Sequence, residues 1–341
     1  MGWAHSIGLQ TMIEAGIVDA SFVAVHDVDN ERAAGFGEMN HAAVVAGADE
    51  VLDRCDVVWV CTPTATHQSI VEAAVARGRA VFCEKPLATS LDGAEAMARA
   101  IAASGVKAQV GLVLRSSPVF VMLRDVLTSG RLGRPMAAIL RDDQYLPVQG
   151  AYASTWRSDA ELAGGGCLIE HSIHDVDILR FCLGEVTEVG CTTANFAGYR
   201  GIEDLAIVSM QFESGAMAEI VSVWHEILSR GSTRRLEVFC QGGLAWVDNE
   251  FTGPLHIETS DGVDVCPCPP PVWISDLPLG DDEVGNAIRT YVEADRAFLD
   301  AVASGTTPEP SFAEALAAHR IVDAAYRSAA LGGSRVELSD R

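Results

Sequence analysis

Short apolar runs and helical patterns take turns through the first third of the chain. Residues 57–61 and 80–83 are apolar at every position, as expected of parallel strands covered on both faces. Residues 22–27 read as a further strand ending in an acid, and 108–114 as a fourth. Helical spacing fills the intervals at 48–54, 67–77 and 91–103, and Gly105 closes the last of these. Strands alternating with helices predict βαβ units and a doubly wound parallel sheet.

The pattern changes near Pro118. A helix over 119–128 stops at Ser129-Gly130, a polar stretch with aromatics covers 142–159, and a glycine triplet at 164–166 leads into a helix over 167–183. Strands follow at 205–212, 216–225 and 234–240. In the last, Leu236, Val238 and Cys240 share one face while Arg235 and Glu237 point the other way. Such a sheet packs one face on helices and leaves the other open to a ligand or partner. Helices at 290–303 and 312–330 are placed to cover the packed face. The expected architecture is α/β. A Rossmann-type, doubly wound parallel sheet occupies residues 1–115, and an α+β domain with an open-faced, mostly antiparallel sheet occupies 116–341.

Charge narrows the partners. Lys and Arg number 24 against 47 Asp and Glu, a formal net charge of −23 that repels nucleic-acid phosphates and anionic lipid alike. No apolar run reaches the ~18 residues of a membrane helix. The nine cysteines are scattered without a Cys-x-x-Cys pair, which fits a reduced cytoplasm, and Cys266-Pro267-Cys268 reads as loop packing. Lys85 and Lys107 are the only lysines, the other basic residues being arginines. Lys85 leaves a buried strand just before Pro86, where open α/β sheets bind ligands, and a lysine ammonium can be tuned to give up its proton.

Four pieces of chemistry fall in order: Gly2-Trp3-Ala4-His5; Asp27 at a strand end; Thr62-Pro63-Thr64-Ala65-Thr66-His67 with Glu84-Lys85-Pro86; and Gly164-Gly165-Gly166 leading to Glu170, His171 and His174. Together they resemble the Gfo/Idh/MocA family of NAD(P)-dependent oxidoreductases over nearly the whole chain. The resemblance implies a catalytic set of Lys85, Glu170 and His174, with Glu170 standing where the family more often has aspartate. It implies a cofactor site made by Gly2, His5, Asp27, Thr62, Pro63, Thr64, His67, Glu84, Lys85 and Pro86. Arg115, Tyr152, Trp156, Arg157, His171 and His225 are candidate substrate-binding residues, with a structural role equally open for His225.

Elementary chemistry supports the same reading. Oxidising an alcohol removes a hydride from carbon and a proton from oxygen; a histidine suits the proton, and an ammonium stabilises the developing alkoxide. On a continuous helix Glu170, His174 and Asp177 share one face. The three glycines let backbone approach a bound ring. His171, His174 and Glu170 also admit a metal site, although no third ligand from elsewhere is evident and no metal is expected. Asp27, followed by Val28, favours the ribose hydroxyls of NAD over the phosphate of NADP, the alternative being a strand-end turn residue.

The Rossmann fingerprint starts with a strand and Gly-x-Gly-x-x-Gly, of which this sequence carries the end, with Gly2 as the third glycine. The expectation is that in-frame codons upstream supply an apolar strand and the first two glycines, roughly ten residues. Without them NAD binding should be weak. The functional expectation is a cytoplasmic, homo-oligomeric NAD-dependent dehydrogenase acting on a secondary alcohol of a sugar, polyol or cyclitol. A cofactor-binding sensor of the same fold and a redox-cofactor lyase or glycosidase are the alternatives.

Overall fold

The computed structural model describes residues 1–150, 152–251, 253–280 and 283–338. Strands β1 (Ala24–Val25) and β2 (Ala43–Val44) pair in parallel, as do β3 (Val57–Val60), β4 (Ala80–Cys83) and β5 (Ala108–Val110), in that order. The expected single Rossmann sheet is therefore present as two parallel pieces, because β1 and β3 are not hydrogen-bonded to one another. Every residue of β4 is buried, which explains its unbroken apolar run. Val81 and Cys83 face helices His67–Ala76 and Leu91–Ser104 through Val71, Ala74, Ala94 and Met97. Ala80 and Phe82 face Ala294 and Phe298 of helix Glu283–Ser304. The strand read at 108–114 stops at Val110, and a 3₁₀ turn, Val113–Ser116, follows. At Gly111 an added Cβ would lie 2.8 Å from the Glu84 carboxylate, so only glycine lets that carboxylate sit there.

The second sheet has nine strands: β6 (Pro135–Tyr145), β7 (Val186–Ala194), β8 (Leu205–Phe212), β9 (Met217–His225), β10 (Thr233–Cys240), β11 (Gly243–Val247), β12 (Leu255–Thr259), β13 (Gly262–Cys266) and β14 (Val336–Glu337). Their order is β13-β12-β11-β10-β6-β9-β8-β7-β14, and only β6 and β9 run parallel. One face packs on helices Pro118–Thr128, Ile173–Leu183 and Phe312–Ala330, and the other carries exposed Ile139, Met217 and Phe239. Strand β6 was not evident in the sequence because it ends in consecutive polar residues, of which Asp142, Asp143 and Gln144 are buried.

Two expectations need correction. Helix Glu283–Ser304 does not cover the nine-stranded sheet; it packs on helix Gly2–Glu14 and on β4, so the end of the chain returns to the first half. Phe312–Ala330 joins both halves, with Phe312 and Ala315 in the core of the parallel sheet and Ile321, Val322 and Ala325 in that of the larger one. The helix read at 167–183 is broken into Cys167–Glu170 and Ile173–Leu183. At the break Ser172 Oγ lies 2.9 Å from Asp142 Oδ2 and 2.6 Å from Ser222 Oγ, a side-chain pull that competes with the helical ladder. The nine cysteines are free thiols, and among the described residues no helix is long and apolar enough to cross a membrane.

One buried cation ties the first helix to the rest. His5 Nε2 lies 2.8 Å from Glu84 Oε1 and its Nδ1 lies 2.7 Å from Asp295 Oδ1, which also accepts from Trp59 Nε1 at 2.9 Å. With a carboxylate at each nitrogen, the ring carries both protons. Burial opposes that charge, but Asp295 and Glu84 outweigh it and raise the pKa from 6.5 to about 9. His5 is thus an internal strut and has no ring nitrogen left for a cofactor, contrary to its expected role. A pKa raised on folding stabilises the protein fully below the unfolded value, and that contribution fades as pH rises through the folded one. Denaturant unfolding should therefore show a loss of roughly 3 kcal/mol between about pH 6.5 and pH 9.5, on the scale of 1.36 kcal/mol per pKa unit. His5→Gln should flatten this slope; an unchanged slope would show that the ring is neutral.

Candidate active site

The site forms where β3 and β4 end. Lys85 follows β4, its peptide bond to Pro86 is cis, and its Nζ donates to the main-chain oxygen of Glu170 at 2.5 Å. Burial holds the ammonium below the ordinary lysine value; the Glu170 carboxylate opposes this, and Arg157 adds to it. Glu170 itself is 2% exposed. Its Oε1 accepts from Thr64 Oγ1 at 2.7 Å and its Oε2 from Arg157 Nε at 3.0 Å. Arg157 lies 4.5 Å over the Trp156 ring and donates to Ser154 Oγ at 2.9 Å.

His174 opens the second helix segment and is 8% exposed. Its Nδ1 is buried without a hydrogen-bond partner among the described residues. Burial, helped by the charges of Lys85 and Arg234, holds its pKa well below 6.5, so the ring is neutral and able to accept a proton. A buried polar atom left unpaired calls for a partner from outside the described residues. His171 points elsewhere, with its Nε2 3.0 Å from Asp142 Oδ1 and 3.0 Å from Arg234 Nη2. Among the described residues no group of three His, Cys, Asp or Glu side chains is placed to hold a metal ion.

Several sequence expectations change in the fold. Because the helix breaks after Glu170, the shared face of Glu170, His174 and Asp177 does not form, and Asp177 instead binds Arg115 through two hydrogen bonds of 2.6 and 2.7 Å. Arg115 also meets Glu314 at 2.7 Å, so its Nε and Nη2 brace two helices. His225 has its Nε2 3.5 Å from Asp143 Oδ2, beside Arg230, on the sheet face opposite Asp142. Tyr152 is 46% exposed and its ring lies 5.2 Å from that of Tyr145.

The glycine triplet serves chain packing. A Cβ at Gly164 would fall 2.7 Å from Thr89 backbone, one at Gly165 2.5 Å from Tyr326 Oη, and one at Gly166 1.8 Å from Glu203 O. These are approaches of the protein to itself, which replaces the expected approach to a bound ring. Missed in the sequence are Asp142, Asp175, Arg234 and Glu250, a buried charge cluster behind His171. The signal was there: Arg234 lies two residues before Leu236, on the same buried stripe.

The residues present fit a dinucleotide along the ends of β1, β3 and β4. Asp27 Oδ1 accepts from Asp29 N at 2.9 Å, which fixes the turn, while its second oxygen has no hydrogen bond among the described residues and suits a ribose hydroxyl. The exposed residue beside it is Val28, which brings no cation for a further phosphate. Thr62 is exposed at the end of β3, with Pro63 beside it starting the turn. His67 is not a cofactor contact: its ring nitrogens lie 2.9 Å from Pro86 O and 2.9 Å from Thr62 O, clasping the two loops together. A Cβ added at Gly2 would lie an ordinary 3.6 Å from Cys61 Cβ, so this position does not require glycine for packing within the described residues.

Comparison with known proteins identifies the family. The pattern of the oxidoreductase family with an NAD-binding Rossmann fold matches residues 10–112, and that of the Gfo/Idh/MocA C-terminal domain matches residues 120–245. Inositol 2-dehydrogenase of Rhizobium meliloti (strain 1021) is 30% identical over 324 residues, 93% of this chain and 91% of that protein. An uncharacterized oxidoreductase of Bacillus subtilis (strain 168) is 33% identical over 214 residues, which is 61% of this chain and 60% of that one. The fold of a levoglucosan dehydrogenase solved with NADH and levoglucosan superposes with a TM-score of 0.86 at 21% identity, covering 99% of this chain and 96% of that one. With both halves matched, the chain belongs to the Gfo/Idh/MocA family of NAD-binding oxidoreductases.

Proposed function

We propose that this NAD-dependent dehydrogenase oxidises a secondary alcohol of a neutral sugar, polyol or cyclitol, with Lys85 and His174 handling the hydroxyl proton. The observation that carries the reading is the unpaired, buried Nδ1 of His174, within electrostatic reach of a lysine that binds only a main-chain oxygen among the described residues. NAD supplies the hydride acceptor. Lys85 stabilises the oxygen as negative charge develops on it, and neutral His174 accepts the proton. Glu170 holds this arrangement rather than moving a proton, since both of its carboxylate oxygens are occupied. Arg157 and Arg234 are already paired with carboxylates, and Lys85 is taken up by the reacting hydroxyl, which supports a neutral polyhydroxylated substrate over an acidic one. The inositol dehydrogenase relative supports the same class.

The exposed Ile139, Met217 and Phe239 on the open face of the nine-stranded sheet support a homo-oligomer formed through that face. A cytoplasmic location is supported by the free thiols.

A panel of inositols, sugars and polyols with NAD, read as absorbance of the reduced cofactor, tests the activity. No turnover across the panel, with cofactor bound, would favour the sensor. Lys85→Ala and His174→Ala should each lower kcat by ~10²–10⁴-fold with the circular dichroism spectrum retained. Near-normal turnover in either variant would remove that residue from the proton chemistry. NAD should be preferred to NADP in kcat/KM, and Asp27→Ser should narrow the gap; an NADP preference would mean that Asp27 does not face the ribose.

A further inference from the structure

Three sulfur-bearing side chains meet away from the dehydrogenase site, where the chain leaving β13 reaches helix Pro118–Thr128. Cys266 closes β13, and Cys268 lies two residues on, across Pro267. Residues two apart in an extended chain point the same way, and the proline ring stiffens the link between them. Cys266 stands opposite Leu255 of β12, which is buried, so its side chain lies on the helix-packed face of the sheet. Cys266, Cys268 and Met122 all pack in or against the core of that sheet. Cys268 Sγ is 3.5 Å from Met122 Sδ and 3.3 Å from Cys266 O. Spacing alone reads Cys266-Pro267-Cys268 as loop packing, because the third sulfur comes from a helix 146 residues away along the chain.

The surroundings hold the sulfurs in place and leave a way in. Cys268 is 3% exposed, while Cys266 and Met122 are half-buried. A Cβ at Gly253 would lie 3.4 Å from Cys268 Sγ and 3.4 Å from Val119 Cγ2, so the loop before β12 closes tightly over this thiol. Burial pushes the Cys268 thiol up, a main-chain hydrogen bond from Leu255 opposes this, and the neighbouring Cys266 adds to it. A bound cation reverses that balance, since a coordinating thiol is deprotonated outright. The Leu255 N–H then has a thiolate to stabilise.

Donor chemistry decides the class of ion. Thiolate and thioether sulfurs select Cu(I), whereas Zn(II) sites are built from Cys, His and carboxylate ligands. Among the described residues no group of three His, Cys, Asp or Glu side chains is placed to hold a metal. The third donor here is a neutral, polarizable thioether, which suits a soft monovalent ion.

We propose that Cys266, Cys268 and Met122 form a three-sulfur binding site for Cu(I). The ion enters as Cu(I), and each thiol releases its proton to solvent. Two copper–thiolate bonds and one copper–thioether bond form, with no change of oxidation state. The site shares no residue with Lys85 and His174, so it is independent of the dehydrogenase reading.

Titration of the reduced protein with Cu(I) in the absence of oxygen, in competition with the chromogenic chelator bicinchoninate, tests this. The wild type should withdraw one equivalent of copper from the chelator and show an ultraviolet thiolate-to-copper band. X-ray absorption should report a coordination shell of sulfur only. Uptake should weaken as pH falls, because protons compete for the thiolates. Met122→Leu keeps the side-chain volume, should retain the fold by circular dichroism, and should weaken copper binding by about tenfold or more. Cys266→Ser, at a half-buried position, should abolish withdrawal of copper from the chelator. No copper withdrawn by the wild type overturns the proposal. So does one equivalent held with equal affinity by the wild type, Met122→Leu and Cys266→Ser, which would place the ion at another thiol such as Cys61.

Discussion

A carboxylate shut away from water has to be satisfied from all sides, and Glu170 draws its partners from three separate parts of the chain. Thr64 comes from the loop after β3, Arg157 from the loop after β6, and Lys85 from the end of β4 to the Glu170 main-chain oxygen. Removing one partner of a buried charge typically costs about 3–5 kcal/mol, so these contacts are coupled to the fold. They also bring the end of the parallel sheet against the helix break that carries His174. The condition for burying Glu170 is the same as the condition for assembling the site. A glutamate suits this position because its longer side chain lets the carboxylate reach Thr64 and Arg157 while the main chain stays within reach of Lys85.

Arginines answer carboxylates in layers around that junction. Arg157 answers Glu170, and Arg234 answers Asp142, Asp175 and Glu250. Farther out, Arg115 and Arg180 share Glu314 and brace Ile173–Leu183 against Phe312–Ala330. Lys85, by contrast, is held by a neutral carbonyl. An uncompensated ammonium in a half-buried site is the group best able to respond to charge developing on a substrate oxygen, since it gives up no other ion pair to do so. The struts around the site are arginines and the cation at this position is a lysine, in keeping with the fixed charge of one and the tunable proton of the other.

The break at His171 and Ser172 determines what the second half can do. A continuous helix would align Glu170, His174 and Asp177 on one face. With Ser172 drawn to Asp142 and Ser222, the segment turns, Glu170 stays at the junction, and Asp177 rotates away to Arg115. His171 is left facing the buried cluster. One hydroxyl, bonded across two strands, thus sets Glu170 and Asp177 in different surroundings.

The sequence by itself determined the elements whose signal is local. The unbroken apolar runs of β3 and β4, the Glu84-Lys85-Pro86 exit and the alternation of β10 are set by neighbours a few residues apart, and each was legible from composition and spacing. It also marked Lys85 and His174 through motifs whose order follows the chain. Only the tertiary structure decided which polar residues are partners. The strand spacing puts Arg234 on a buried stripe, but that Asp142 is its partner appears only when β6 and β10 lie side by side, and His5 reads as a ligand contact until Asp295, from a distant part of the chain, reaches its ring. Hydrophobic pattern reports whether a residue is buried. The identity of the group that compensates a buried charge depends on contacts across more than two hundred residues, which no local spacing encodes.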